Sequence, residues 1–158
     1  MRTKKAKLRE VAPDAKYGSV LVARLIHRSM RDGKKSVAQK QVYAGLEFAA
    51  EKLNKKPVEV LEEALKNITP QMEVRSRRVG GASYQVPMPV QPRRASSLSL
   101  RWLVLESNKR SNKEYHSYAE KLAAEILDSI ENTGGAIEKK LSSHRMAEAN
   151  KAFSHFRW

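Results

Sequence analysis

Apolar positions recur every three or four residues along most of this chain, the spacing of one buried helix face. The first such segment, about residues 20–31, carries Leu21, Val22, Leu25, Ile26 and Met30, begins after Ser19 and is stopped by Asp32-Gly33. A second, about 37–53, turns Val42, Leu46, Ala49, Ala50 and Leu53 inward, with Ser36 and Gln39 spaced as a capping box. Gly45 inside it costs up to about 1 kcal/mol relative to alanine; close approach of another helix or chance would each account for it. The third runs from Pro57 to about Asn67. The fourth, about 94–110, has the widest stripe (Ala95, Leu98, Leu100, Trp102, Leu103, Val104, Leu105) and is expected to be the central helix, with Trp102 in the core. The fifth, about 113–131, is read as opened by a Ser111…Glu114 box. It packs through Tyr118, Leu122, Ala123, Ile126 and Ile130, with Glu114, Glu120, Glu125, Asp128 and Glu131 toward solvent. The sixth, about 136–152, has a weak apolar side of Ile137, Leu141, Ala147 and Ala149.

Residues 72–91 break this rule. Met72 and Val74 alternate with Glu73, Arg75 and Arg77, and Tyr84, Val86, Met88 and Val90 alternate with Gln85, Pro87, Pro89 and Gln91, around Gly80-Gly81. Period two about a Gly-Gly turn predicts a β-hairpin. Pro87 and Pro89 lack the N–H on the same side of the strand, so that side must be the outer, unpaired edge. No third strand is evident. A lone ribbon is marginal and must lean on something; an arm reaching outward and a hairpin folded flat on the body both satisfy the pattern. The fold predicted is mainly α: a single helical domain of about six helices with a protruding two-stranded β-hairpin between helices three and four. A basic N-terminal arm (1–15) precedes the helical domain (16–152, with the hairpin at 72–91), and a basic-aromatic tail (153–158) follows it.

Charge changes the picture most. The 158 residues hold 31 Lys+Arg against 17 Asp+Glu, a net charge of +14 that points to a polyanionic partner, nucleic acid before membrane. The excess lies in residues 1–40, 70–110 and 139–158, while 41–69 and 111–138 are near neutral or acidic, which predicts one positive face. Absence of cysteine removes disulfides, thiolate metal sites and thiol nucleophiles. The four histidines are scattered, and no nucleophile elbow, dinucleotide fingerprint or metal spacing occurs, so no catalytic residue, metal or cofactor is assigned. Gly33-Lys34-Lys35-Ser36 resembles the end of a P-loop, but Arg28 stands where its first glycine belongs; what remains is a basic turn before a helix N-terminus. No apolar run could span a membrane and the basic start has no apolar stretch behind it, so no membrane partner and a cytoplasmic address are expected. The aromatics Phe153, Phe156 and Trp158 could pack on the body or stack on bases.

Four blocks, in order, carry a resemblance over essentially the whole chain. They are Met30-Arg31-Asp32-Gly33-Lys34-Lys35-Ser36; Glu73-Val74-Arg75-Ser76-Arg77-Arg78-Val79-Gly80-Gly81 with Tyr84-Gln85-Val86-Pro87; Leu98-Ser99-Leu100-Arg101-Trp102; and His144 to Phe153 with Arg157-Trp158. The chain resembles bacterial small-subunit ribosomal protein seven. One departure is Gln41-Val42, where that family usually has two aliphatic residues. The resemblance implies a structural protein that binds the 3′ major domain of small-subunit ribosomal RNA and nucleates assembly of the head. It further implies a position near the exit-site tRNA and messenger RNA path, with small-subunit ribosomal proteins nine and eleven as neighbours. The residues expected on RNA are Lys4, Lys5, Lys7, Lys34, Lys35, Arg75, Arg77, Arg78, Arg94, Arg101, Arg145, Lys151 and Arg157, most of them on phosphate. The alternative reading is an architectural DNA-binding protein that uses the basic ribbon.

Overall fold

The computed structural model describes residues 9–156. Six α-helices and one hairpin follow in order: α1 (Val20–Ser29), α2 (Lys35–Leu53), α3 (Pro57–Ile68), β1 (Met72–Val79), β2 (Ala82–Pro89), α4 (Pro92–Lys109), α5 (Tyr118–Ile130) and α6 (Gly134–Ala149), then a 3₁₀ turn (Lys151–Phe156). The predicted class and the place of the hairpin agree with this order. The core joins Val22, Leu25 and Ile26 of α1, Val42 and Leu46 of α2, and Val60, Leu61 and Ile68 of α3 with Leu103 of α4, Leu122 and Ile126 of α5, and Ile137 of α6. Trp102 is half-buried against that cluster, as expected.

Two helices share the centre: α4 packs against α1, α3, α5 and α6, and α5 against α2, α3, α4 and α6. Two details correct the sequence reading. Leu105 is 49 % exposed, so the wide apolar stripe of α4 is not buried all round. And one acid of α5 leaves the solvent row. Glu125 is 2 % exposed, accepting from Arg110 Nε (2.9 Å) and from the backbone N–H of Ala136 (2.8 Å). Asp128 pairs with the same guanidinium. Burial disfavours the charge of Arg110, but the two carboxylates outweigh it and raise its pKa further.

Helix starts also moved. The second helix begins at Lys35, so Ser36 lies inside it and the Ser36…Gln39 box is not made. The box expected at Ser111…Glu114 stands six residues later: Ser117 Oγ accepts from Glu120 N–H (3.2 Å), and Glu120 Oε2 accepts from His116 N–H (2.9 Å). Gln41 supplies a further cap across the core, its Oε1 accepting from Ala119 N–H (3.1 Å), while its neighbour Val42 is fully buried. On α6, Leu141 is 52 % exposed and Ala149 is exposed, leaving Ala136, Ile137 and Ala147 as its buried contacts. Upstream of α1, buried Asp14 accepts from Tyr43 hydroxyl (2.7 Å) and from the N–H groups of Lys16 and Tyr17, fastening residues 14–17 to α2.

The hairpin has the register Val79↔Ala82 through Met72↔Pro89, with Gly80 and Gly81 both at positive φ (57° and 90°), the mirror-image turn that matches strand twist. Starting from the pair next to the turn, alternate pairs exchange backbone bonds; Val74↔Pro87 and Met72↔Pro89 fall on the non-bonded pairs, so both prolines face the outer edge. The base of the ribbon is anchored and its tip is exposed. His144 Nε2 accepts from Gln71 N–H (3.0 Å) and Ser143 Oγ donates to Met72 carbonyl (3.1 Å), both from α6. Lys140 Nζ, on the same helix, donates to Asn67 carbonyl at the end of α3 (2.6 Å).

Two outcomes follow from this packing. A Cβ on Gly45 would lie 2.9 Å from the Ala119 carbonyl and 3.3 Å from Leu122 Cδ2, so close approach of α5 explains the glycine. Gly45→Ala should therefore destabilise by about 1–3 kcal/mol despite its helix propensity gain, read by urea unfolding. For His144, burial first and Lys140 second hold the pKa below its ordinary value. The folded state then favours the neutral ring, and protonation would put a hydrogen on the nitrogen that accepts from Gln71. Its contribution is complete above about pH 6.5 and is lost as pH falls from there through the depressed folded pKa. His144→Gln, which keeps an acceptor, should flatten the stability profile below about pH 6.5, read by urea unfolding across a pH series.

Candidate nucleic-acid interface

The cations of this protein divide by whether a carboxylate answers them. Lys16 pairs with Glu47, Lys55 with Glu63 (2.7 Å), Lys56 with Glu59 (3.6 Å), Lys109 with Glu106 (2.7 Å) and Arg110 with Glu125 and Asp128. Among the described residues, Arg9, Arg24, Arg28, Arg31, Lys34, Lys35, Arg77, Arg78, Arg93, Arg101, Arg145 and Lys151 have no carboxylate within salt-bridge reach, and neither do Lys40, Lys52, Lys66, Lys113, Lys121, Lys139 and Lys140. All the arginines of this set lie on the segment before α1, α1 and the turn after it, the ribbon, α4 and α6, whereas Lys40, Lys52 and Lys66 stand on α2 and α3. An unanswered cation can neutralise a phosphate and release a counterion condensed on the nucleic acid; one already held by a carboxylate contributes far less.

Four of these arginines converge. Arg9, Arg24, Arg28 and Arg93 line a groove of about 230 Å³ between α1 and the start of α4, with Ser96, Ser97, Val11 and Leu100 on its floor and walls. Arg24 and Arg28 stand at i and i+4, both exposed on α1, and Arg31 is exposed just past its C-cap. Arg93 occupies the first turn of α4 after Pro92, where the helix dipole also favours an anion. Four arginine and two serine side chains among the lining fit phosphate oxygens and sugar hydroxyls better than an apolar ligand. None of Arg9, Arg24, Arg28 or Arg93 was among the residues assigned to RNA from sequence. The i, i+4 spacing on the first helix was a readable signal; the approach of Arg9 and Arg93 to it was not.

The thirteen residues assigned from sequence are distributed unequally. Lys34 and Lys35 are exposed in the turn after α1, where Asp32 and Gly33 both take positive φ (50° and 73°). Their backbone N–H groups donate inside the turn, to Arg31 carbonyl (2.9 Å) and Gly33 carbonyl (2.8 Å). This turn therefore offers an anion its lysine side chains rather than those two amides. Arg78 is exposed and Arg77 half-buried on β1; Arg101 is exposed on α4; Arg145 and Lys151 are exposed on α6 and the 3₁₀ turn. Arg75 and Arg94 are paired: both hold Glu73, a buried carboxylate. Lys4, Lys5, Lys7 and Arg157 lie outside the described residues. Phe153 and Phe156 pack on Tyr84 of the ribbon, ring centroids 5.3 and 5.1 Å away, which favours body packing for these two; Trp158 lies outside the described residues. Among the described residues no group of His, Asp and Glu is arranged to hold a metal, and no helix is long and apolar enough to cross a membrane.

Comparison with known proteins agrees with this geometry. The family model described as ribosomal protein S7p/S5e matches residues 1–151. Relatives named small ribosomal subunit protein uS7 include those of Hydrogenobaculum sp. (56 % identical over 151 residues, covering 95 % of this chain and 94 % of the relative) and Caldanaerobacter subterraneus subsp. tengcongensis (57 % over 150 residues, 95 % and 94 %). That of Caldicellulosiruptor saccharolyticus is 55 % identical over 152 residues, covering 96 % of each chain.

If the groove takes phosphate, Arg24→Gln with Arg28→Gln should reduce the salt dependence of RNA binding by about two units of log–log slope. Lys52→Gln with Lys66→Gln, outside the groove, should leave affinity nearly unchanged. Filter binding across a salt series, with circular dichroism to verify helix content, measures both.

Proposed function

Since the chain belongs to the ribosomal protein S7p/S5e family, we propose that it binds small-subunit ribosomal RNA directly through a composite basic face, in the 3′ major domain, and nucleates assembly of the head. Family membership makes it a structural component of the small ribosomal subunit and not an enzyme. The observation that carries RNA binding is the arginine groove between α1 and α4, with its unanswered cations continuing onto the Lys34/Lys35 turn, Arg101 and the ribbon.

The division of labour follows from how each part is held. The α1–α4 groove is built on helices that share the core, so its arginines are presented by a rigid base and supply anchoring. The ribbon is held at its base by α6 and along β2 by the 3₁₀ turn, where Phe153 and Phe156 meet Tyr84, and it exposes its tip around Gly80-Gly81, the arrangement of a braced arm. In the proposed setting that arm lies beside the exit-site tRNA and messenger RNA path, and small-subunit ribosomal proteins nine and eleven are the protein neighbours. The resemblance supports these placements. Most contacts are to phosphate, and RNA shape with unpaired bases supplies specificity, because the deep groove of an RNA duplex is closed to side chains.

Footprinting of the protein on whole small-subunit ribosomal RNA tests the address: protection should concentrate in the 3′ major domain, and scattered weak protection would overturn it. With ~6–10 phosphate contacts, affinity should fall by about 10³–10⁵ between roughly 50 and 200 mM salt, by analogy with duplex DNA. Duplex DNA competitor at moderate salt should displace the RNA poorly; efficient displacement would favour the architectural DNA-binding reading.

A further inference from the structure

Glu73 is out of place on a surface built to bind a polyanion. It sits at the base of β1 with a side chain only 8 % exposed, in a segment where 70–110 otherwise carry eight basic residues and one other acid. A buried carboxylate is costly unless its oxygens are answered. Both are. Oε1 accepts from Arg75 Nε (2.8 Å), with Arg75 Nη2 at 2.7 Å, and Oε2 accepts from Arg94 Nε (2.6 Å). Burial alone would raise the Glu73 pKa, and the two guanidinium groups more than reverse it, so the carboxylate stays charged.

The two arginines come from different elements and remain about half exposed, 50 % for Arg75 and 48 % for Arg94. Arg75 reaches Glu73 because i and i+2 share one face of a strand; Arg94 comes from the first turn of α4, next to Arg93 of the groove. Glu73 takes the Nε side of each fork. Among the described residues, neither guanidinium bonds a protein group other than Glu73, and each keeps an edge toward solvent. Those outward edges are the donors that match phosphate oxygens. Free arginine side chains would have to be ordered on binding, whereas these are already held.

We propose that Glu73 is a positioning residue for RNA binding, bracing Arg75 and Arg94 as one two-pronged clamp for a backbone phosphate beside the α1–α4 groove. This rests on the RNA-binding reading above. It predicts against simple electrostatics: Glu73→Gln adds one positive charge to the face, which by charge alone tightens binding, yet loosening the clamp should weaken it.

The test uses the full chain and a transcript of the 3′ major domain of small-subunit ribosomal RNA, with thermal unfolding and circular dichroism alongside. Glu73→Gln should weaken binding about fivefold or more, and Glu73→Asp, which keeps the charge, should recover part of the loss. In a background of Arg75→Lys with Arg94→Lys, which retains both charges without the fork, Glu73→Gln should cause no further loss and leave only the effect of its added charge, because Glu73 positions those two side chains. Equal or tighter binding by a folded Glu73→Gln protein would overturn the proposal and assign Glu73 a purely structural tether. If Glu73→Gln fails to fold, the lysine double variant decides alone: a loss of about fivefold or more at unchanged charge supports the clamp, and wild-type affinity overturns it. Failure of the RNA-binding reading looks different, since the wild-type chain would then not bind the transcript.

Discussion

Glu125 holds together parts of the molecule that apolar packing alone would leave free to slide. Its carboxylate lies in the interior of α5, engages Arg110 at the end of α4, and accepts the N–H of Ala136 in the first turn of α6. Three helices are thus registered by one side chain. Such a buried pair is no cheap source of stability relative to apolar residues of similar size, but removing one partner leaves a buried charge and costs about 3–5 kcal/mol. Its use here is geometric. It sets where α6 starts, and α6 in turn supplies His144 and Ser143 to the base of the ribbon. The turn into α6 is close-packed as well: a Cβ on Gly135 would lie 3.1 and 3.2 Å from Glu106 Cγ and Cβ, so a side chain there would require α4 or the start of α6 to shift.

From that frame the electrostatic division of the surface follows. Glu47 of α2 answers Lys16, Glu59 and Glu63 of α3 answer Lys56 and Lys55, and the Arg110 charge is absorbed by α5. The α1–α4 side, the α1–α2 turn and the ribbon have few acids within reach, so most of their cations stay unanswered. Glu73 is the exception, and it is the one acid that joins two arginines from separate elements on the basic side. A structural protein of a ribonucleoprotein needs this separation, because a cation neutralised within the protein contributes little to the release of counterions from RNA.

Much of the fold was legible in the chain. Period-3.6 stripes marked all six helices, and period two with Gly80-Gly81 marked the ribbon. The prolines fixed which strand edge is unpaired because a missing N–H is a property of the residue, independent of what surrounds it. Capping was less legible. Ser36 and Ser111 have the right spacing to an acceptor but the wrong place relative to the packed helix, and Ser117 with Glu120 was the box the structure made. A capping box is a short pattern that occurs often, and only the docking of α5 on α2, sealed by Gln41, decides which serine is used.

For the interface, the sequence by itself determined the sign and amount of charge, the chemical types available, and which residues share a helix face, as Arg24 and Arg28 do. These are local properties, set by residue identity and by the repeat of a single helix or strand. The tertiary structure decided which charges cancel. Glu125, read as part of a solvent face, is buried against Arg110 and the start of α6; Arg9 and Arg93 joined α1 in one groove across long stretches of chain; and Glu73 met Arg94 as well as Arg75. Pairing over a few ångströms depends on how elements pack, and helical periodicity carries no information about the neighbour a face will meet.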